Sequence, residues 1–98
     1  MKNCDTSDCL SLPLREACFD FCVEKILRVA TPVEKISILG MDEDLANAIF
    51  TAYNYGKVPI SSFSDLELAL TQNQISQIRA IFSNLTQNQL NHFIPKLR

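Results

Sequence analysis

The chain has 98 residues, 47% of them hydrophobic and 20% charged, and a formal net charge of −2. This length fits one domain, residues 1–98, in which about two-thirds of the unfolded surface can be buried, leaving little chain for a deep substrate cleft. The apolar content excludes wholesale disorder, and the lack of a basic excess argues against an electrostatic grip on nucleic acid or an anionic membrane.

No apolar run approaches the roughly 20 residues a membrane helix needs. Lys2 is followed by no apolar stretch of signal-peptide length, so the expectation is no membrane and a cytoplasmic location. Charge is unevenly spread. From Gly40 to Leu70 five acids (Asp42, Glu43, Asp44, Asp65, Glu67) face Lys57 alone, whereas from Thr71 to Arg98 there are only bases, Arg79, Lys96 and Arg98.

In chain order, residues 1–12 form a cysteine-containing segment. Pro13 then fits the first turn of a helix over residues 13–30, where its missing N–H costs nothing. Leu14, Cys18, Phe21, Cys22, Ile26 and Val29 follow at three-and-four spacing, one apolar stripe. Thr31-Pro32-Val33-Glu34 is a capping box that starts a second, short helix ending at Gly40. Asp42, Glu43 and Asp44 suit the positive end of a third helix, with Leu45, Ile49 and Tyr53 on one face and Gly56 as its stop. Ser62 caps a fourth helix. Leu70-Thr71-Gln72-Asn73-Gln74-Ile75 recurs as Leu85-Thr86-Gln87-Asn88-Gln89-Leu90, so the last two helices begin with the same Thr-x-x-Gln cap, the final one over residues 86–95. No segment alternates with period two as a half-buried strand would. The fold class is all-α, five to six short helices.

Residues 33–82 resemble the tandem helix-hairpin-helix domain of the ComEA competence protein and its relatives. Ile36 and Leu39 precede Gly40-Met41-Asp42 where that family has its Gly-hydrophobic-Gly hairpin, and Ala46 and Ile49 follow at the family's spacing. Ile60-Ser61-Ser62-Phe63-Ser64-Asp65-Leu66 matches the bridge between the two motifs, and Ile75 and Ile78 stand where the second closing helix has its apolar residues. The resemblance implies a helix-hairpin-helix-like core with an added N-terminal and an added C-terminal helix. Two departures weaken the DNA binding it would otherwise imply. The second hairpin glycine, which lets backbone N–H groups approach a phosphate, is Asp42, followed by two more acids, and the second hairpin near Ala69-Leu70-Thr71 has neither glycine.

Cys4, Cys9, Cys18 and Cys22 fall in the first quarter, with Cys18 and Cys22 one turn apart on one helix face. Three readings stand open. Four thiolates could hold zinc or an iron–sulfur cluster, although successive gaps of four, eight and three residues lack the usual zinc spacing. The three-residue gap is also similar to small disulfide-linked helical hairpins of the mitochondrial intermembrane space, which use two matched pairs. Alternatively the thiols are free, with Cys18 and Cys22 packed as small hydrophobes. Thioredoxin-like chemistry is not indicated, because its Cys-x-x-Cys motif and βαβ context are missing. His92, the one histidine, reads as a surface or packing residue, and Asp42, Glu43 and Asp44 lack the calcium-loop pattern.

With no catalytic constellation, the leading functional reading is a non-enzymatic adaptor or regulatory module for a protein partner. Its candidate surface is the amide-rich stripe Gln72, Asn73, Gln77, Asn84, Gln87, Asn88 and Asn91. Nucleic-acid binding through the hairpin and the C-terminal bases is the alternative, and metal or redox sensing by the four cysteines is a third.

Overall fold

A computed structural model describes residues 3–98. Two 3-10 turns, Thr6–Cys9 and Glu16–Cys18, precede α1 (Phe19–Val29), α2 (Pro32–Ser37), α3 (Glu43–Tyr55), α4 (Phe63–Ala69), α5 (Gln72–Ser83) and α6 (Gln87–Leu97). The fold is all-α, with six α-helices and no strand among the described residues. The Cα radius of gyration is 12.5 Å, close to the roughly 13 Å of a folded domain of about 100 residues.

Local signals set the helix starts. The Thr31, Thr71 and Thr86 hydroxyls accept from the backbone N–H three residues on, at 3.1, 3.2 and 3.2 Å. Glu34, Gln74 and Gln89 reach back to the threonine N–H at 2.9, 2.9 and 2.7 Å. Each box satisfies two N–H groups that a helix start leaves unpaired. Ser62 caps α4 by accepting from the Asp65 N–H.

The first helix departs from its expected bounds. It starts at Phe19 rather than Pro13; residues 10–13 bend, the Leu12–Pro13 peptide is cis, and Glu16–Cys18 is a 3-10 turn. Leu14 is buried and Arg15 pairs with Asp8 at 2.7 Å, so this stretch folds back along the N-terminal segment instead of extending the helix. At the other end α6 continues past residue 95 through Pro95 to Leu97, which is buried in the core.

α1 is the centre of the molecule. Cys22, Val23, Ile26 and Leu27 are fully buried, and the helix packs against both 3-10 turns, α4 and α6, which contribute Leu66, Leu90 and Phe93. The α2–α3 pair packs together, its turn closed by the Met41 N–H donating to the Lys35 carbonyl at 3.0 Å. Gly40 takes φ +72°, the left-handed conformation glycine adopts without strain. Gly56 ends α3 for another reason. Its backbone is not left-handed, but a Cβ there would stand 2.5 Å from the Ala52 carbonyl oxygen.

Candidate functional site

All four cysteines are disulfide-bonded. Cys4 pairs with Cys18 and Cys9 with Cys22, at Cα separations of 5.7 and 5.3 Å, within the normal range. The shared face of Cys18 and Cys22 receives both bonds, but the order departs from a helical hairpin. Two antiparallel helices would join first to fourth and second to third; here first joins third and second joins fourth. The N-terminal segment runs alongside α1 as a 3-10 turn, which places each of its cysteines over the corresponding one of the later pair. In this state no free thiol exists among the described residues, so neither packed free thiols nor a four-thiolate metal site is present. Asp8 completes the corner: its carboxylate oxygen Oδ2 is 3.7 Å from the Cys18 sulfur, while Oδ1 accepts from Arg15.

Several other candidates are engaged in internal contacts. Glu34 joins α2 to α6, accepting from Lys96 Nζ at 2.5 Å and lying 2.6 Å from His92 Nε2. Lys96, the Thr31 N–H and His92 hold its carboxyl down to about 2. Arg79 pairs with Asp20 at 2.9 Å and Glu67 at 3.7 Å and lies over the Phe63 ring. Two of the three bases considered for nucleic acid are therefore paired within the fold. The Gly40-Met41-Asp42 turn presents Gly40 and Asp42 at the surface and buries Met41, with Glu43 and Asp44 also exposed.

Two buried charged residues hold helix ends. Lys35 donates to the Ala30 carbonyl at 3.0 Å, and burial lowers its pKa against the opposing effect of Glu34. Glu24 accepts from Arg28 at 2.5 Å and from the Tyr53 hydroxyl at 3.3 Å, and Arg28 also reaches the Ile60 carbonyl. Burial, with Glu24 beside it, raises the Tyr53 pKa.

The amide stripe is partly internal. Gln87 Oε1 accepts from the Leu12 N–H at 3.1 Å, while its Nε2 donates to Asn91. Asn84 donates to the Ala80 carbonyl and ends α5. Gln72, Asn73 and Asn88 are exposed, and Gln77 is half-buried.

A different surface is shaped to receive something. Between α3 and α4, closed by the turn at Gly56 and the start of α5, runs a groove of about 570 Å³. Ala48, Ala52, Val58, Leu68, Ala69 and Leu70 form its apolar wall, with Leu68 82% and Val58 53% exposed. Asp44 and Asp65 stand at it against Lys57. Asp65 accepts from the Ser61 N–H and hydroxyl, both at 3.0 Å, which lowers its pKa and keeps it ionised. Sequence reasoning missed this groove. Its one local signal was Leu68, two residues from the buried Leu66 and therefore on the opposite side of a short helix. Among the described residues no helix is long and apolar enough to cross a membrane.

Comparison with protein-family models, curated proteins and solved structures found no match.

Proposed function

We propose that this chain is a small, non-enzymatic interaction module whose α3–α4 groove takes an apolar segment of a partner protein carrying one or more basic residues. The observation that carries this reading is the groove itself. A monomer gains nothing by presenting Leu68 and Val58 to water beside a cavity of ligand-binding size. Two carboxylates against one lysine at that cavity favour a cationic occupant, and the fixed ionisation of Asp65 maintains the bias. His92 lies elsewhere, engaged with Glu34, which supports binding rather than catalysis.

Residues 33–82 are read as a helix-hairpin-helix-like core turned from phosphate contact to protein contact. The succession of a short helix, a left-handed glycine turn, a longer helix and two capped helices supports that reading. Three exposed acids at the start of α3 oppose a phosphate there. The two disulfides support an oxidising compartment rather than the cytosol expected from the sequence.

Selection from a displayed random-peptide library tests the groove. Enriched peptides should combine apolar residues with Lys or Arg. Their affinity should fall about tenfold or more for Leu68→Glu, and fall also for Asp44→Lys, with helix content unchanged. Peptides insensitive to both substitutions, or no enrichment, would overturn the proposal.

A further inference from the structure

We propose that the Cys4–Cys18 disulfide is the precursor of a divalent-metal site, composed of the Cys4 and Cys18 thiolates and the Asp8 carboxylate, that forms when this one disulfide is reduced. The inference is independent of the α3–α4 groove. The two disulfides differ in access. Cys9 and Cys22 are both fully buried, whereas Cys4 is only partly buried and, with Cys18, lines a surface hollow of about 420 Å³. A soluble dithiol therefore reaches Cys4 and not the inner pair, since exchange requires access to the sulfur attacked.

The chemistry balances in two steps. A thiolate of the dithiol attacks the Cys4 sulfur, the S–S bond breaks, and its electron pair leaves on Cys18, which takes a proton. The reductant's second thiol, deprotonated, then displaces Cys4 as thiolate, which is protonated in turn. The dithiol leaves as a cyclic disulfide, having supplied both electrons. Zinc(II) next replaces the two thiol protons, which are released to solvent.

The ligands are already gathered. The donor atoms of Cys4, Asp8 and Cys18 all lie within 4.8 Å of one another. Ligands in a tetrahedral zinc site stand roughly 3.5–3.8 Å apart, given Zn–S near 2.3 Å and Zn–O near 2.0–2.2 Å. Only a small closing movement of Asp8 and a parting of the two sulfurs are needed. The retained Cys9–Cys22 bond keeps residues 4–9 against α1 while this happens. Asp8 is further positioned by Arg15 on Oδ1 and by the Asp5 N–H on Oδ2. Two thiolates and a carboxylate leave a zinc complex with one net negative charge, which the Arg15 guanidinium partly offsets. The fourth position goes to water from the hollow.

The test is native mass spectrometry of the full chain after graded dithiothreitol treatment and addition of zinc(II), with alkylation to locate free thiols. The expected species carries two thiols, at Cys4 and Cys18, and one zinc, whereas the oxidised chain takes up none. The double variant Cys4→Ser, Cys18→Ser should bind no zinc. Asp8→Asn should weaken binding by about tenfold or more at the same thiol count. Simultaneous opening of both disulfides, a two-thiol species without zinc, or unchanged affinity in Asp8→Asn would overturn the proposal. Should Asp8→Asn disturb the N-terminal segment, cobalt(II) on the wild-type chain decides. A thiolate-to-cobalt absorption with the intensity of two sulfurs supports the site, and one with the intensity of four overturns it.

Discussion

Glu34 does three things at once: it completes the α2 capping box, and it receives Lys96 and His92 from α6. A group that ionises more readily in the folded than in the unfolded chain stabilises the fold above its unfolded pKa, and loses that contribution as pH falls through the folded value. For Glu34 the loss runs from about 4.5 down to about 2. Urea midpoints should therefore fall across that interval more steeply for the wild type than for Glu34→Gln; parallel curves would show that the contacts of the Glu34 carboxylate with Lys96, the Thr31 N–H and His92 contribute nothing through its charge. Glu24 makes a different argument, because its side chain is 2% exposed and that of Arg28 40%. An exposed pair is worth little, but removing Arg28 strips a buried carboxylate of its charged partner. Arg28→Ala should cost about 2 kcal/mol, measurable by denaturant melts, whereas Arg79→Ala, whose partners Asp20 and Glu67 are exposed, should cost about 0.5 kcal/mol in ion-pair energy.

The two Thr-x-x-Gln starts show how one local solution acquires two tertiary roles. Thr71→Ala and Thr86→Ala should each cost about 1 kcal/mol, since both remove the hydroxyl that accepts a first-turn N–H. Their glutamines are not equivalent. Gln89 also donates through Nε2 to the Ile38 carbonyl at 2.9 Å, joining the start of α6 to the end of α2, whereas Gln74 completes its own box and borders the α3–α4 groove. Gln89→Ala should therefore destabilise the chain more than Gln74→Ala; equal losses in chemical denaturation would mean that the Ile38 contact carries no net energy. The repeated motif is thus a repeat of the cap and not of the packing around it.

At the scale of the molecule the N-terminal segment is part of the fold. Two disulfides, the buried Leu14, the Arg15–Asp8 pair and the Leu12–Gln87 hydrogen bond fasten it to α1 and α6. Limited proteolysis should spare the bonds between Cys4 and Pro13 in the oxidised chain and cut them once both disulfides are reduced; cleavage there in untreated protein would show a loose segment. Loops of this length closed by a disulfide contribute about 3 kcal/mol each before any native strain, so full reduction should also lower the denaturation midpoint. The charge balance sets the other global expectation. With a net charge of −2, and Arg79 and Lys96 paired internally, duplex DNA should bind weakly and without sequence preference near physiological salt. A titration giving sub-micromolar affinity under those conditions would contradict it.

The fold class and most helix starts are legible in the amino-acid order alone, because those signals are local. A capping box spans four residues, and an apolar stripe needs only the helix's own periodicity, so Thr31, Ser62, Thr71 and Thr86 announce themselves without reference to the rest of the chain. The start of α1 was not legible for the converse reason. Pro13 is a good first-turn residue, but Leu14 is drawn into the core and Arg15 to Asp8 of the N-terminal segment, and those demands override the local preference. Three-dimensional packing set the cysteine pairing, since four cysteines allow three connectivities and spacing does not choose among them. It also decided that Glu34 meets residues 58 and 62 positions away, and that Leu68 borders a groove instead of lying against α1. Each of these depends on which helix faces are brought together, and that is set by how six amphipathic helices share one core rather than by any single segment.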